Sequence, residues 1–205
     1  MSGVGAWALV GLALAVLFVR RRSAAIALVT LQSLAIAIGA LVLAPSRSTE
    51  FVVASAVLLA KALLVGCVLG WSLTRTREPR PVDEGAAPLV RLVAGVALGL
   101  TATALVPSFG LESSGAEQAA VALVVLGVAT VVARRATLFQ ALGLLVAENG
   151  IALAATAVKG GLPIVIELGI VFDVIIIVAV ATAFHERIFG EFGTGDTSLL
   201  RGLRD

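Results

Sequence analysis

Lys61, Glu148, Glu167 and Asp173 stand inside long apolar runs, where an ionisable side chain is out of place unless it has work to do. A charge near the centre of a membrane helix costs about 2.5–3.5 kcal/mol on insertion scales, so such a residue is read as functional by default. Burial disfavours the charged form of a carboxylate or an ammonium, and an opposite charge nearby restores it. A lysine and carboxylates brought together, with waters between them, can therefore take up and release a proton near neutral pH. The chemistry is that of a proton or ion relay, with Lys61, Glu148, Asp173 and Glu167 as its candidate members. The competing reading is a structural ion pair that fixes helix packing. Asn149, Gln32 and Gln140 are the supporting polar groups, since uncharged amides between membrane helices serve mainly as hydrogen-bonding glue.

Depth sorts these residues. Lys61, Glu148 and Asp173 each lie about ten residues into their runs, roughly 15 Å at the helical rise, and so near one midplane. Glu167 is only about five residues from the outer end, roughly 8 Å in, which makes it an outer exit site or a solvated interfacial group. It is separated from Asp173 by about 120° around the helix axis, so the two cannot face one neighbour squarely. Gln32 and Gln140 are expected nearer the cytoplasmic side.

The elements that must position these side chains are membrane helices. Of the 205 residues, 60% are hydrophobic and 14% charged, and the mean hydropathy is +1.09. A soluble domain has roughly a quarter of its residues charged, and a core of this size cannot hide so many apolar runs. Seven runs approach the length of about 20 residues that a span requires: Gly3–Val19, Ala24–Ala44, Phe51–Leu73, Pro88–Val106, Gln118–Ala133, Leu138–Val158 and Leu162–Phe184. The fold class expected is an all-α polytopic membrane protein.

Orientation follows from the distribution of basic residues among the loops. Seven spans put Arg20, Arg21, Arg22, Arg75, Arg77, Arg80, Arg91, Arg134, Arg135, Arg187, Arg201 and Arg204 on one side, and only Arg47 and Lys159 on the other. The amino end is then outside and the carboxyl end cytoplasmic, in the cell inner membrane. Residues 1–184 form the membrane domain, with an exposed cytoplasmic linker at 74–87, and residues 185–205 form a cytoplasmic tail. The outer loop Pro107–Glu117 carries Glu112 and Glu117. The first run has Arg20–Arg22 after it and no basic residue before it, the reverse of a cleavable signal peptide.

A weak internal echo joins helices one to three with helices five to seven. In each triplet a paired arginine, Arg21–Arg22 or Arg134–Arg135, precedes a second helix bearing Gln32-Ser33 or Glu148-Asn149. The third helix bears Lys61 or Asp173. The spacing from the arginines differs between the copies, so the match is out of register. Gly66-x-x-x-Gly70 and Gly95-x-x-x-Gly99 are candidate close-packing motifs.

Several chemistries are excluded by what is missing. The chain has one cysteine, Cys67, and one histidine, His185, which leaves no internal disulfide and no cluster of His and Cys metal ligands. There is no P-loop, no dinucleotide fingerprint and no nucleophile paired with a base. The net charge of +2 is too small to point to a nucleic-acid partner.

The stretches Val146-Ala-Glu-Asn-Gly150, Ile166-Glu-Leu-Gly-Ile170 and Phe172-Asp173 resemble the E component of group 4 nickel–iron hydrogenases of the hydrogenase-4 and formate hydrogenlyase type. Leu31-Gln-Ser-Leu34, Ala60-Lys-Ala-Leu-Leu64 and the tail Phe192–Leu203 add to the likeness, which is specific in helices six and seven and in the tail. The resemblance implies a non-catalytic subunit of a membrane arm related to that of respiratory complex I. It implies antiporter-like and other membrane subunits as partners, with peripheral electron-transfer subunits on the cytoplasmic face. Such an arm couples electron transfer to proton or sodium translocation. Nickel–iron and iron–sulfur centres would belong to other subunits, leaving no cofactor in this chain. Helices five to seven look similar to the three-helix small subunit of that superfamily, with Glu148 in its second position and Glu167 or Asp173 in its third. Two other classes compete: a purely structural scaffold of the arm, and an independent small multi-span transporter.

Overall fold

The apolar runs fold as helices because an isolated strand edge has no hydrogen-bond partner in lipid, whereas a helix satisfies its own backbone. The computed structural model describes residues 3–43, 49–76, 87–108, 110–111, 113–158, 182 and 190. It contains six helices: α1 (Gly3–Phe18), α2 (Arg22–Leu43), α3 (Thr49–Thr76), α4 (Pro88–Leu105), α5 (Ser114–Ala133) and α6 (Thr137–Thr156). No strand occurs among the described residues. Four of the helices, α2, α4, α5 and α6, are long and apolar enough to cross a membrane, and α1 and the centre of α3 are shorter apolar segments. The protein is therefore an all-α membrane protein. The seventh expected run, Leu162–Phe184, and the tail 185–205 lie outside the described residues, apart from Thr182 and Gly190.

Helix ends shift where local chemistry dictates. The short fifth run gains a turn at its amino end, because Ser113 caps it by accepting from the Ala116 N–H at 3.3 Å. A serine side chain there satisfies one of the orphan donors of the first turn. Glu117, assigned from sequence to the outer loop, consequently lies in that first turn and is buried. It accepts from Ser108 Oγ at 3.2 Å and the Leu111 N–H at 3.3 Å, folding the loop back over the helix start. Pro88 opens α4 at a position where its missing N–H costs nothing. The linker expected from residue 74 begins later, since α3 runs on to Thr76.

Two antiparallel hairpins, α1–α2 and α5–α6, form the centre. α1 buries the stripe Ala6, Leu9, Val10, Ala13, Val16 and Leu17, at the i, i+3, i+4, i+7 spacing of one helix face. That face packs along α5. Gly3 and Gly115 meet at the amino ends of the two helices, and Arg134 joins their carboxyl ends, so α1 and α5 run parallel. α2 packs on α6, also in parallel. Corresponding helices of the two hairpins therefore run in the same direction, which is one condition of a parallel repeat. The out-of-register arginines have a local cause: α2 begins at Arg22 itself, whereas α6 begins at Thr137, beyond both Arg134 and Arg135.

The remaining helices lean on this centre from opposite sides. α3 packs on α2, and α4 lies against α1 and α5. α4 buries only a narrow stripe of Arg91, Gly95 and Gly99 and meets them at Gly95, beside Leu17 and Leu126, leaving most of its surface outward.

Candidate functional site

The membrane interior gives little hydrophobic incentive for helices to associate, so close van der Waals contact and hydrogen bonds must set their positions. α6 uses both. On its α5 side, Gly143 and Gly150 abut the backbone of the neighbour: a Cβ on Gly143 would stand 2.7 Å from the Gly127 carbonyl oxygen, and one on Gly150 2.8 Å from that of Ala120. A Cβ on Gly127 would come within 2.6 Å of the Gly143 carbonyl oxygen. The opposite side of α6 carries Glu148 and Asn149, both buried.

Glu148 meets Lys61 of α3. The lysine Nζ donates to Glu148 Oε1 and forms an ion pair with it, the two side chains being 4% and 10% exposed. The second carboxylate oxygen, Oε2, has no hydrogen-bond partner among the described residues. Each charge is held in low dielectric by the other, and moving the ammonium proton to the carboxylate would leave a neutral amine and a neutral acid. Losing either partner strands a charge, a loss that typically costs about 3–5 kcal/mol for a buried pair.

Beside it runs a line of neutral groups. Ser33 Oγ donates to Asn149 Oδ1 at 3.0 Å, Asn149 Nδ2 donates to Gln32 Oε1 at 2.9 Å, and Gln32 Nε2 donates to the Leu9 carbonyl at 2.9 Å. The line crosses α2, α6 and α1. Gln32, expected nearer the cytoplasmic side, is brought by this bond to the level of the Glu148–Asn149 step. A buried amide left without partners costs about 1–3 kcal/mol, so this arrangement strongly favours one packing of the helices.

Of the sequence-derived candidates, the structure brings together Lys61, Glu148, Asn149 and Gln32. Gln140 is elsewhere: its Nε2 donates to the Arg134 carbonyl at 3.2 Å, in the turn between α5 and α6. Asp173 and Glu167 lie outside the described residues. No group of three His, Cys, Asp or Glu side chains converges among the described residues. Cys67 is exposed.

Arg134 is the residue whose role the sequence concealed. Counted among the loop arginines of the cytoplasmic side, it is 1% exposed. Its Nη1 donates to the Leu17 carbonyl at 3.4 Å and its Nη2 to the Val19 carbonyl at 2.6 Å, while the guanidinium lies 3.5 Å over the Phe139 ring. A cation at the carboxyl end of α1 satisfies carbonyls that have no partner within the helix and is favoured by the helix dipole. The one available signal was Phe139, an aromatic shortly after a paired arginine.

The chain is similar to the uncharacterized protein Rv0085 of Mycobacterium tuberculosis, with 34% identity over 159 residues that cover 73% of this chain and 72% of that protein. No protein-family model matches the chain. No solved structure matches it.

Proposed function

We propose that this chain, which belongs to the same family as the mycobacterial protein Rv0085, is an ion-handling subunit of a membrane complex in which Glu148 is the working carboxylate and Lys61 its counter-charge. The observation that carries this reading is the Lys61–Glu148 ion pair, buried between helices and left with one carboxylate oxygen unpartnered among the described residues. An ionisable pair held at membrane depth is maintained against its insertion cost, which favours a use for the charges.

The wider assignment rests on the resemblance of the stretches around Glu148, Lys61 and Asp173 to the E component of group 4 hydrogenases. In it the chain crosses the cell inner membrane seven times, amino end out and carboxyl end in, within a membrane arm related to that of complex I. Antiporter-like subunits are its membrane partners, and electron-transfer subunits dock on the cytoplasmic side and carry all the redox centres. Electron transfer there drives protons or sodium ions across the membrane, and this chain contributes buried carboxylates and forms no bonds itself. In this reading Asp173 is a relay partner at the depth of Glu148, and Glu167 is the exit group nearer the outer surface.

A scaffold reading is favoured by the Ser33–Asn149–Gln32–Leu9 line, which is built of neutral groups and joins three helices. The experiment that separates the two is Glu148→Gln in the complex purified from its own membranes. A working carboxylate predicts an assembled complex with normal electron transfer and at least about a tenfold loss of ion movement, the loss expected when a required proton-transfer group is removed. Unchanged ion movement overturns the proposal and leaves the scaffold.

A further inference from the structure

We infer that Gln32, Ser33 and Asn149 are positioning residues, a neutral ruler on α2 that fixes the register of α6 and thereby holds Glu148 opposite Lys61. The inference rests on the reading of Glu148 as the working carboxylate, although its geometric half is independent of any activity.

The two ends of the ion pair are not brought together by their own helices. α3 and α6 do not pack on each other along their lengths; each packs on α2. The distance between Lys61 and Glu148 is therefore set by two docking contacts on a third helix. α3 docks where Gly66 abuts Thr30: a Cβ on Gly66 would stand 2.8 Å from Thr30 Oγ1, so that contact has no slack. α6 docks where the Asn149 amide engages two successive residues of α2, accepting from Ser33 and donating to Gln32. Thr30, Gln32 and Ser33 fall within a single turn of α2, so both contacts are referred to one short segment.

The Asn149 contact constrains slide and rotation together. A shift of one residue along a helix moves a side chain about 1.5 Å and turns it about 100°, which would break both bonds of the amide. Gln32 cannot follow, because its own Nε2 is held by the Leu9 carbonyl of α1. Glu148 precedes Asn149 and so points about 100° away from it around α6. With Asn149 held against α2, the carboxylate is directed to the side where α3 brings Lys61.

The chemical character of the ruler matters as much as its place. Carboxamides and hydroxyls keep their protons throughout the range in which carboxylates and amines exchange theirs. When a proton neutralises Glu148 the attraction to Lys61 is lost, and a contact made of charge alone would no longer hold α6 in register with α3. The amide line is indifferent to that event and preserves the register for the return of the charge. Gln32 and Asn149 thus act through Glu148 and carry no proton themselves.

The test removes the ion pair and asks whether the register survives. In the full chain carrying Cys67→Ser, in lipid nanodiscs, Lys61→Cys and Glu148→Cys are bridged with a short bifunctional thiol reagent. Val124→Cys with Ala147→Cys, across the α5–α6 contact, is the control. The ruler predicts efficient bridging of positions 61 and 148 even without the charges, and about a tenfold fall on adding Asn149→Leu or Gln32→Leu, the size of a typical coupling between contacting residues. The control pair keeps its rate. Ser33→Ala, which removes one of the two bonds, gives an intermediate fall, and Ser33→Thr, which keeps the hydroxyl, restores the parent rate. Failure to bridge in the parent, an unchanged rate with Asn149→Leu, or an equal fall in the control pair each overturns the inference. Because the bridging readout requires no ion movement, these failures are distinct from a failure of Glu148→Gln to impair transport.

Discussion

The two sides of α6 are fixed by opposite means. Toward α5 the helix is bare: Gly143 and Gly150 let backbone meet backbone, with Gly127 and Ala120 across the contact. Toward α2 and α3 it is furnished with a carboxylate and an amide that reach across the gap to named partners. The bare side gains dispersion energy along its length and tolerates no added atom. The furnished side gains directionality at one level, and its partners are individually replaceable at a cost. A helix that must hold a charge at a set depth needs both, since packing alone leaves rotation soft and hydrogen bonds alone leave the helices apart.

The contrast can be broken hardest on the furnished side. Lys61→Ala should destabilise the protein by about 3–5 kcal/mol, because Glu148 is left as an uncompensated buried charge. The measurement is reversible unfolding in mixed micelles, and adding Glu148→Gln to Lys61→Ala should recover most of the loss. A loss no larger for Lys61→Ala than for the double variant would show that the charge is already compensated elsewhere. On the bare side, Gly143→Val drives atoms into the Gly127 carbonyl and should cost about 1–3 kcal/mol, the range for overpacking a filled interior. Thermal unfolding with a thiol-independent probe reads this directly. The smallest effect sharpens the distinction between glycines that serve contact and those that do not. Gly70 has nothing within 4 Å of a built Cβ, so Gly70→Ala should be neutral or stabilise by about 0.5–1 kcal/mol through helix propensity.

Those glycines show how much could be read before the structure. The expected packing motifs are Gly66-x-x-x-Gly70 and Gly95-x-x-x-Gly99, and within each pair a Cβ on one glycine would meet a neighbour while a Cβ on the other would have no atom within 4 Å. The seam that matters uses Ala120 and Gly127 against Gly143 and Gly150, spaced by two turns. A small residue promotes close approach only where another backbone lies opposite, and no local spacing encodes which helix that will be. The polar residues were more legible. Lys61 and Glu148 could be placed near a shared depth by counting residues from the ends of their runs, since rise per residue is fixed. Their mutual choice was not legible, because Asp173 lay at the same expected depth and helix rotation is set by neighbours. Gln32 lies deeper than the count from Ala24 suggests because α2 begins two residues earlier, at Arg22, so the origin of the count moves with it. Arg134 is legible as a residue at a helix end, but not as a buried one. An arginine that clamps carbonyls and one that faces the cytoplasm look alike in a string of letters.

The Arg134 clamp also sets an order in time. Its bond to the Leu17 carbonyl joins residues separated by 117 positions, and at ordinary synthesis rates that separation corresponds to a wait on the order of ten seconds. Throughout that interval the Leu17 and Val19 carbonyls lack their Arg134 donors. The final seating of α1 therefore belongs among the late events of biogenesis, after α5 has entered the membrane. The first helix made is among the last to be finished.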